Sequence, residues 1–208
     1  MKRALFCGGM IVAAMTLGCG NAGQQTAGSE SQLRADPAPA QNTAAVAAAE
    51  VGKEAVADIH GAGDTHDKIN GKATFVQEST GVKIIVDVDG LAPGKHGIHI
   101  HEKPDLSDPK LISAGGHFNP DGPSHKHAGP TDSERHAGDL GNIEVDDKGH
   151  GHLEISDDAL TIEGPRGVVG HSIIIHEKVD DLKTQQPPGN AGGRVAGGVI
   201  VLATDGQK

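Results

Sequence analysis

Six histidines and one aspartate occur in a fixed order within one stretch of the sequence. They are His99, His101, His117, His127, His136, Asp139 and His176. Imidazole nitrogen suits copper and zinc, and a carboxylate can complete a tetrahedral zinc site. Copper changes oxidation state whereas zinc does not, so two neighbouring ions would combine electron transfer with a structural role. These residue types therefore predict a two-metal site.

The first pair of candidate ligands is spaced for a β-strand. In an extended strand, residues i and i+2 point to the same face, so His99 and His101 would project together while Ile98 and Ile100 face the core. Two imidazoles on one rigid strand form half of a metal site. Taken alone, a histidine pair of this kind is often an incidental surface feature, and only the other ligands favour the metal.

The next candidates lie on a segment rich in glycine and proline. His127, His136 and Asp139 offer three donors, and His117 precedes them as a fourth. A loop of this composition can wrap a metal ion and be ordered by it. The alternative is a solvated polar loop. We expect six other histidines to bind no metal, namely His60, His66, His125, His150, His152 and His171.

Composition limits both the fold and the partners. The 208 residues include no Trp or Tyr, three Phe and 31 Gly, so the core must be built from aliphatic side chains. The formal net charge of −10 argues against nucleic-acid binding, which needs a basic surface. An anionic substrate would need a local cationic patch near the site.

Short alternating apolar runs separated by turn residues predict strands. They cover residues 72–77, 82–88, 97–101, 142–145, 150–155, 168–176 and 198–203. This pattern predicts an all-β antiparallel sandwich or barrel. The intervals 102–141 and 177–197 have little strand character. Long irregular segments in a compact domain are usually functional, and the first contains most of the candidate ligands.

The N-terminal region predicts export. Residues 1–19 combine Lys2 and Arg3 with a short apolar stretch that ends at Cys19, which predicts a signal peptide with a possible lipidation cysteine. Ordinary cleavage and secretion is the alternative. Residues 20–50 are rich in Ala, Gln, Gly, Ser and Pro, and they predict a disordered tether to a folded domain at 51–208. We therefore expect a periplasmic or cell-envelope protein that contacts a membrane only through Cys19.

Six motifs in the chain resemble those of the copper–zinc superoxide dismutase family, in the order found in that family. They are Gly-Ile-His-Ile-His-Glu, Gly-His-Phe-Asn-Pro, Lys-His-Ala-Gly-Pro, Glu-Arg-His-Ala-Gly-Asp-Leu-Gly-Asn, Ile-Ile-His-Glu-Lys-Val-Asp-Asp-Leu and Gly-Asn-Ala-Gly-Gly-Arg-Val-Ala-Gly-Gly-Val-Ile. The resemblance covers roughly residues 51–205. It implies an eight-stranded antiparallel Greek-key β-sandwich or barrel with two long functional loops.

The resemblance also implies a role for each candidate residue. Copper would be held by His99, His101, His117 and His176, and zinc by His117, His127, His136 and Asp139. His117 would therefore bridge the two ions. Asp180 would link a copper histidine to a zinc histidine, and Arg194 would attract and orient superoxide. The implied reaction converts superoxide to dioxygen and hydrogen peroxide.

Two other functions are compatible with such a scaffold. A non-catalytic lipoprotein could bind copper or zinc without turnover, and many β-sandwiches are adhesion modules. Metal storage does not require Arg194 or a bridging histidine, and adhesion leaves the ligand set unexplained. The site residues therefore favour the enzyme.

One departure from the family is clear. The family's disulfide would join the positions of Leu111 and Gly197, and the only cysteines in the chain are Cys7 and Cys19. We therefore expect the long loop to depend more strongly on zinc. The placement of Arg194 would also need another support.

Overall fold

Residues 50–204 are the part of the chain that the computed structural model describes. The strands in it are β1 (Glu54–Gly61), β2 (Asn70–Gln77), β3 (Val82–Asp89), β4 (Gly94–His101), β5 (Asp139–Val145), β6 (His150–Asp157), β7 (Ser172–His176), β8 (Arg194–Val199) and β9 (Val201–Leu202). One 3-10 turn, Ile112–Ala114, lies between β4 and β5. In this part of the chain, no helix is long and apolar enough to cross a membrane.

The strands form one antiparallel sheet that closes on itself. Their order is β2-β3-β6-β5-β4-β7-β8-β1, and β1 also pairs with β2. Because Ile200 alone separates β9 from β8, and both segments pair with β1, the two act as one strand. This confirms the predicted eight-stranded barrel. The β3–β4 and β6–β7 connections pass over neighbouring strands, and closure leaves no free sheet edge.

The core follows from alternation along the strands. Val82, Ile84, Val86 and Val88 are each 1% exposed or less, as the period-two pattern predicted. Among the phenylalanines that the structure describes, only Phe75 on β2 is fully buried, and it packs among aliphatic side chains. The interior is therefore packed apolar material, and metal chemistry must take place outside it.

Strand β4 is buried on both faces. Ile98 and Ile100 fill the barrel interior, whereas His99 and His101 point outward and are covered by loops, with 0% exposure for both histidines. Register shifts occur at Gly97/His99 in the β4–β5 pair and at Ile175/His176 in the β7–β8 pair. Such bulges redirect side chains, and here both lie beside candidate ligands.

Two long connections cover the outward face of β4. The first loop, residues 102–138, joins β4 to β5, and the second loop, residues 177–193, joins β7 to β8. Both were predicted with slightly wider limits. The predicted strand 168–176 begins only at Ser172, because Gly170 has a positive φ of 85° that interrupts extended backbone.

Strand β1 was not separately predicted. Its buried face is built largely from Ala55 and Ala57, and alanine is a poor signal for a strand. The predicted signal peptide (1–19) and nearly all of the predicted tether (20–50) lie outside the described residues.

Candidate metal centre

The candidate ligands come from three strand ends and one loop. His99 and His101 lie on β4, His176 ends β7, and Asp139 begins β5. His117, His127 and His136 all come from the first loop. The barrel therefore fixes four of the ligands, and the folding of the loop decides where the other three lie.

The first group of donors consists of His99, His101, His117 and His176. One ligand atom from each lies within 4.8 Å of those of the others, and all four residues are buried. Within residues 50–204, His99 Nδ1, His101 Nε2 and His176 Nε2 are buried with no hydrogen-bond partner. Leaving a buried polar atom unpaired costs about 1–3 kcal/mol, so a bound cation would remove a penalty at three atoms. These four residues fit a metal such as copper.

The opposite nitrogen of each of these three histidines contacts an oxygen. His99 Nε2 lies 2.6 Å from Asp180 Oδ2, and His101 Nδ1 lies 3.1 Å from the Gly115 carbonyl oxygen. His176 Nδ1 lies 3.4 Å from the Gly192 carbonyl oxygen. Because carbonyl and carboxylate oxygens accept, each of these nitrogens donates. The tautomers are thereby set, and the remaining nitrogens offer lone pairs, as is usual for metal-binding imidazoles.

The second group of donors is arranged around Asp139, which is fully buried. Its Oδ1 lies 2.6 Å from His117 Nδ1 and 3.0 Å from His127 Nδ1. Its Oδ2 lies 3.3 Å from His136 Nδ1, which forms no hydrogen bond within the described residues. Three imidazole nitrogens thus face one carboxylate, a donor set that suits zinc.

His99 also approaches this second group. The mutually close atoms there belong to His99, His117, His127 and Asp139, a set that contains His99 in place of the predicted His136. His99 donates Nε2 to Asp180, however, and its other nitrogen belongs to the first group. His136 keeps an unpaired nitrogen facing Asp139, so the chemistry of the donors still favours His136 for the second site.

Asp180 connects the two groups. Its Oδ2 accepts from His99 Nε2 at 2.6 Å, and its Oδ1 accepts from His127 Nε2 at 2.9 Å. Asn142 Oδ1 accepts from the backbone N–H of Asp180 at 2.7 Å. Gly189 passes so close that a Cβ there would lie 2.2 Å from Asp180 Oδ1, so this position requires glycine. The carboxylate therefore orients one imidazole of each group.

Burial keeps most of these imidazoles neutral. It lowers the pKa of His101 well below 6.5, the pKa of His117 to about 4 and the pKa of His176 to about 3. Repulsion between neighbouring imidazoles in their charged forms contributes to each of these lowered pKa values. Neutral imidazoles at pH 7 have lone pairs available to a cation.

The two carboxylates favour positive charge between them. Burial would raise the pKa of Asp139 and of Asp180, but hydrogen bonds from histidines outweigh it and hold both pKa values well below 3.8. Burial also opposes a charge on His127, yet its hydrogen bonds to both carboxylates raise its pKa to about 9. A site that stabilises a proton in this way would also stabilise a divalent cation.

Arg194 lies beside the first group of donors. It pairs with His176 across the β7–β8 ladder. Its Nη1 donates to the Leu111 carbonyl oxygen at 2.5 Å and its Nη2 to the Gly115 carbonyl oxygen at 2.6 Å. Burial lowers the pKa of Arg194, but a guanidinium retains its charge at any working pH. The first loop therefore holds a half-buried cation next to the donors.

Leu111 and Gly197 are the two positions at which the family resemblance implied a disulfide, and they lie in contact. The Leu111 side chain is buried with Ala62, Ala114 and Ile174. Leu111 Cδ1 would lie 3.3 Å from a Cβ at Gly197, so the side chain covers the glycine directly. An apolar contact thus ties the first loop to β8 at the predicted position of the missing disulfide.

Several supporting residues were not predicted. Arg135 is buried, donates to Asp157 Oδ2 at 2.5 Å and also donates to the carbonyl oxygens of His136 and Ala137. It thereby ties the part of the loop that carries His136 to the end of β6. His96 contacts the His176 carbonyl oxygen through Nδ1 at 2.8 Å. The sequence shows Arg135 next to the predicted ligand His136, but it does not show that Arg135 is buried or that its partner is Asp157, 22 residues away.

Comparisons with known proteins agree with this geometry. The family model described as copper/zinc superoxide dismutase matches residues 69–200. An extracellular superoxide dismutase [Cu-Zn] of Drosophila melanogaster is 42% identical over 140 residues, which is 64% of this chain and 76% of that protein. The Haemonchus contortus protein of the same name is 46% identical over 140 residues, which is 64% of this chain and 74% of that protein.

A solved structure shows the same fold. The crystal structure of the clock protein EA4 superimposes with a TM-score of 0.66 at 39% sequence identity, covering 74% of this chain and 96% of that one. The matched segment contains every candidate ligand together with Asp180 and Arg194. This chain therefore belongs to the copper/zinc superoxide dismutase family.

Proposed function

We propose that this chain converts superoxide to dioxygen and hydrogen peroxide with copper held by His99, His101, His117 and His176. Zinc would be held by His117, His127, His136 and Asp139. The single observation that supports this most strongly is the set of three buried, unpaired nitrogens on His99, His101 and His176, which converge with His117. When bound, copper supplies the one-electron chemistry and zinc supplies fixed charge and structure.

His117 is the residue that belongs to both groups of donors. Its Nδ1 faces Asp139, which leaves Nε2 for the first group. We assign to Nε2 the task of carrying a proton towards the departing product. Burial lowers the pKa of this imidazole, which favours release of the proton that Nε2 carries. Asp139 and Asp180 keep the surrounding imidazoles in their orientations while His117 takes up and releases this proton.

Arg194 supplies the attraction that the rest of the protein lacks. A chain with a net charge of −10 repels a small anion at long range. The guanidinium is anchored by two carbonyl oxygens of the first loop, so its charge is fixed in position beside His176. Metal storage alone would need no such cation, and this residue therefore favours catalysis over the non-catalytic alternative.

The proposal includes the export of the protein. The relatives from Drosophila and Haemonchus are named extracellular. We assign residues 1–19 to a signal peptide, 20–50 to a tether and 51–208 to the enzyme domain. Cys19 would carry a lipid that anchors the domain in the cell envelope.

Substitution of a ligand on a strand should remove the bound metal ion while leaving the barrel folded. In His99→Ala or His176→Ala we expect copper content and activity to be lost with the β-sheet circular dichroism retained, because the barrel core supports β4 and β7. Asp180→Asn should weaken metal binding about 10–100-fold.

His136→Ala should release zinc and raise hydrogen exchange in residues 102–138, because that ligand comes from the loop itself. The matched control for all of these variants is His60→Ala, which alters an exposed histidine of β1. Activity that does not depend on copper would refute the assignment of copper to His99, His101, His117 and His176.

Charge at position 194 should set the encounter rate. We expect Arg194→Glu to lower the second-order rate constant for superoxide roughly tenfold or more, and Arg194→Lys to lower it less. The wild-type rate should fall as salt rises, because the Debye length is about 10 Å at 0.1 M ionic strength. Lys148→Glu makes the same change of charge in the exposed β5–β6 turn and serves as the control. Equal rates for the two Glu variants, measured by pulse radiolysis, would contradict a local role for Arg194.

The Leu111 contact should be as important as a covalent tie. Leu111→Ala should lower the free energy of unfolding by about 2–5 kcal/mol and slow superoxide consumption at unchanged copper content, since the carbonyl groups that hold Arg194 lose their support. Ile112→Ala, at the neighbouring and exposed residue, should do neither. A thiol reductant should leave the melting temperature unchanged. If Leu111→Ala behaves like Ile112→Ala, the apolar contact does not position the loop.

Anchoring is tested at the cysteine. If Cys19 is lipidated, the full chain expressed in a bacterial host should fractionate with membranes, and Cys19→Ser should move it to the soluble periplasmic fraction. Cys7→Ser is the control, because position 7 lies inside the predicted apolar stretch. Membrane association that persists in Cys19→Ser would overturn the anchor but not the export.

A further inference from the structure

A second cluster of metal-binding side chains lies on the outer surface of the barrel, away from both groups of donors. We call it the β6 face, and it consists of His150 and His152 on β6, Asp87 and Asp89 on β3, and Glu144 on β5. All five residues are exposed. From the sequence we expected His150 and His152 to bind no metal, and no part of the proposed dismutase centre uses them.

Strand geometry places the two imidazoles side by side. His150 and His152 are separated by Gly151, which points inward, since a Cβ there would lie 3.1 Å from Val88 Cγ1 and from Val145 Cγ2. Residues i and i+2 of a strand are about 7 Å apart along one face. β6 pairs with β3 along its whole length, so the backbone that carries both histidines is rigid.

Each imidazole has a carboxylate directly opposite it on β3. His150 pairs with Asp89 in the ladder, and its Nδ1 lies 3.1 Å from Asp89 Oδ1. His152 pairs with Asp87, and its Nδ1 lies 2.7 Å from Asp87 Oδ1. The carboxylate oxygens accept, so both Nδ1 atoms donate. In the neutral imidazoles, both Nε2 atoms therefore retain a lone pair.

This is the arrangement that proteins use for metal-binding histidines. One ring nitrogen donates to a carboxylate, which fixes the tautomer and raises the basicity of the other nitrogen. Glu144 pairs with His152 from the other side, on β5, and is the nearest further carboxylate on that side. Residues directly opposite in an antiparallel pair share a face, so Glu144 lies beside His152. Within the described residues, only the two groups of the metal centre already have ligand atoms within 4.8 Å of one another, so the exposed side chains of the β6 face would have to rotate to share an ion.

The surrounding charges bear on which ion would bind. Lys72 is opposite Asp87 on β2, and Lys95 is opposite Glu144 on β4. These lysines offset part of the acidic charge, so the face is a weak attractor for hard cations such as Ca²⁺. Selectivity must then come from the imidazoles, which prefer Cu²⁺ and Zn²⁺.

We propose that the β6 face binds one exchangeable Cu²⁺ or Zn²⁺ ion through His150 Nε2 and His152 Nε2, with Glu144 as a third ligand. Asp87 and Asp89 position the imidazoles without touching the ion. The site is independent of the proposed dismutase centre. It would give this chain a surface position for a third metal ion.

The test uses the full chain with copper and zinc already bound at the dismutase centre. Zn²⁺ titrated by calorimetry should show one additional equivalent, and Ca²⁺ should show none. His150→Ala and His152→Ala should each abolish the additional equivalent, whereas Asp87→Asn should weaken it about 10–100-fold. His60→Ala, another exposed strand histidine, should leave it intact.

A second measurement identifies the ligands. One added equivalent of Cu²⁺ should produce a new electron paramagnetic resonance signal with splitting from two nitrogens, and that signal should disappear in His152→Ala. Superoxide consumption at the centre should stay the same in every β6-face variant, which separates this proposal from the function of the enzyme. Absence of an additional equivalent, its survival in His152→Ala, or equal binding of Ca²⁺ would overturn the proposal.

Discussion

Buried imidazole nitrogens that no protein group satisfies are the constraint on which the rest of this structure depends. A fold can bury histidines cheaply when both ring nitrogens have partners, but here one nitrogen of His99, His101 and His176 has none within the described residues. The other nitrogen of each of these imidazoles contacts an oxygen acceptor, which orients the ring and points the unpaired nitrogen towards the first group of donors. The folded chain thus carries an unfavourable interaction that a bound cation would relieve, and in the proposed function the same atoms hold the copper.

Two kinds of support hold these atoms in place. The aliphatic barrel supports β4 and β7 directly, because Ile98, Ile100 and Ile175 are fully buried behind the ligand histidines. The first loop has no such core and is tied down at separate points. Arg135 ties it to the end of β6, and Leu111 packs over Gly197 on β8. The attraction within a buried ion pair is largely offset by the cost of removing both charges from water, so packing and metal are left to supply the strength of the attachment.

Leu111 makes two contacts, one through its side chain that stabilises the first loop and one through its carbonyl oxygen that holds Arg194. Its side chain is part of the small apolar cluster that joins the loop to the barrel, and its carbonyl oxygen accepts a hydrogen bond from Arg194. The αL backbone of Leu111, with φ of 57°, is unusual for a branched side chain and is maintained by this packing. Loss of the apolar contact would therefore affect the position of the guanidinium that we propose attracts superoxide.

Much of this could be predicted from the sequence because local spacing carries the information. The alternation of Val82, Ile84, Val86 and Val88 predicted a strand, and the motifs around His99 and His136 predicted the family and its metals. The family resemblance gave Asp180 as a link between a copper histidine and a zinc histidine, and the structure shows that its partners are His99 and His127, 81 and 53 residues away. The contacts of Arg194 could not be predicted, because it donates to carbonyl oxygens 83 and 79 residues away. Carbonyl oxygens are present at every residue, so nothing in the sequence distinguishes those of Leu111 and Gly115. The register of β3 against β6 likewise decided that the histidines of the β6 face stand opposite aspartates, because strand pairing is set by the closure of the whole barrel.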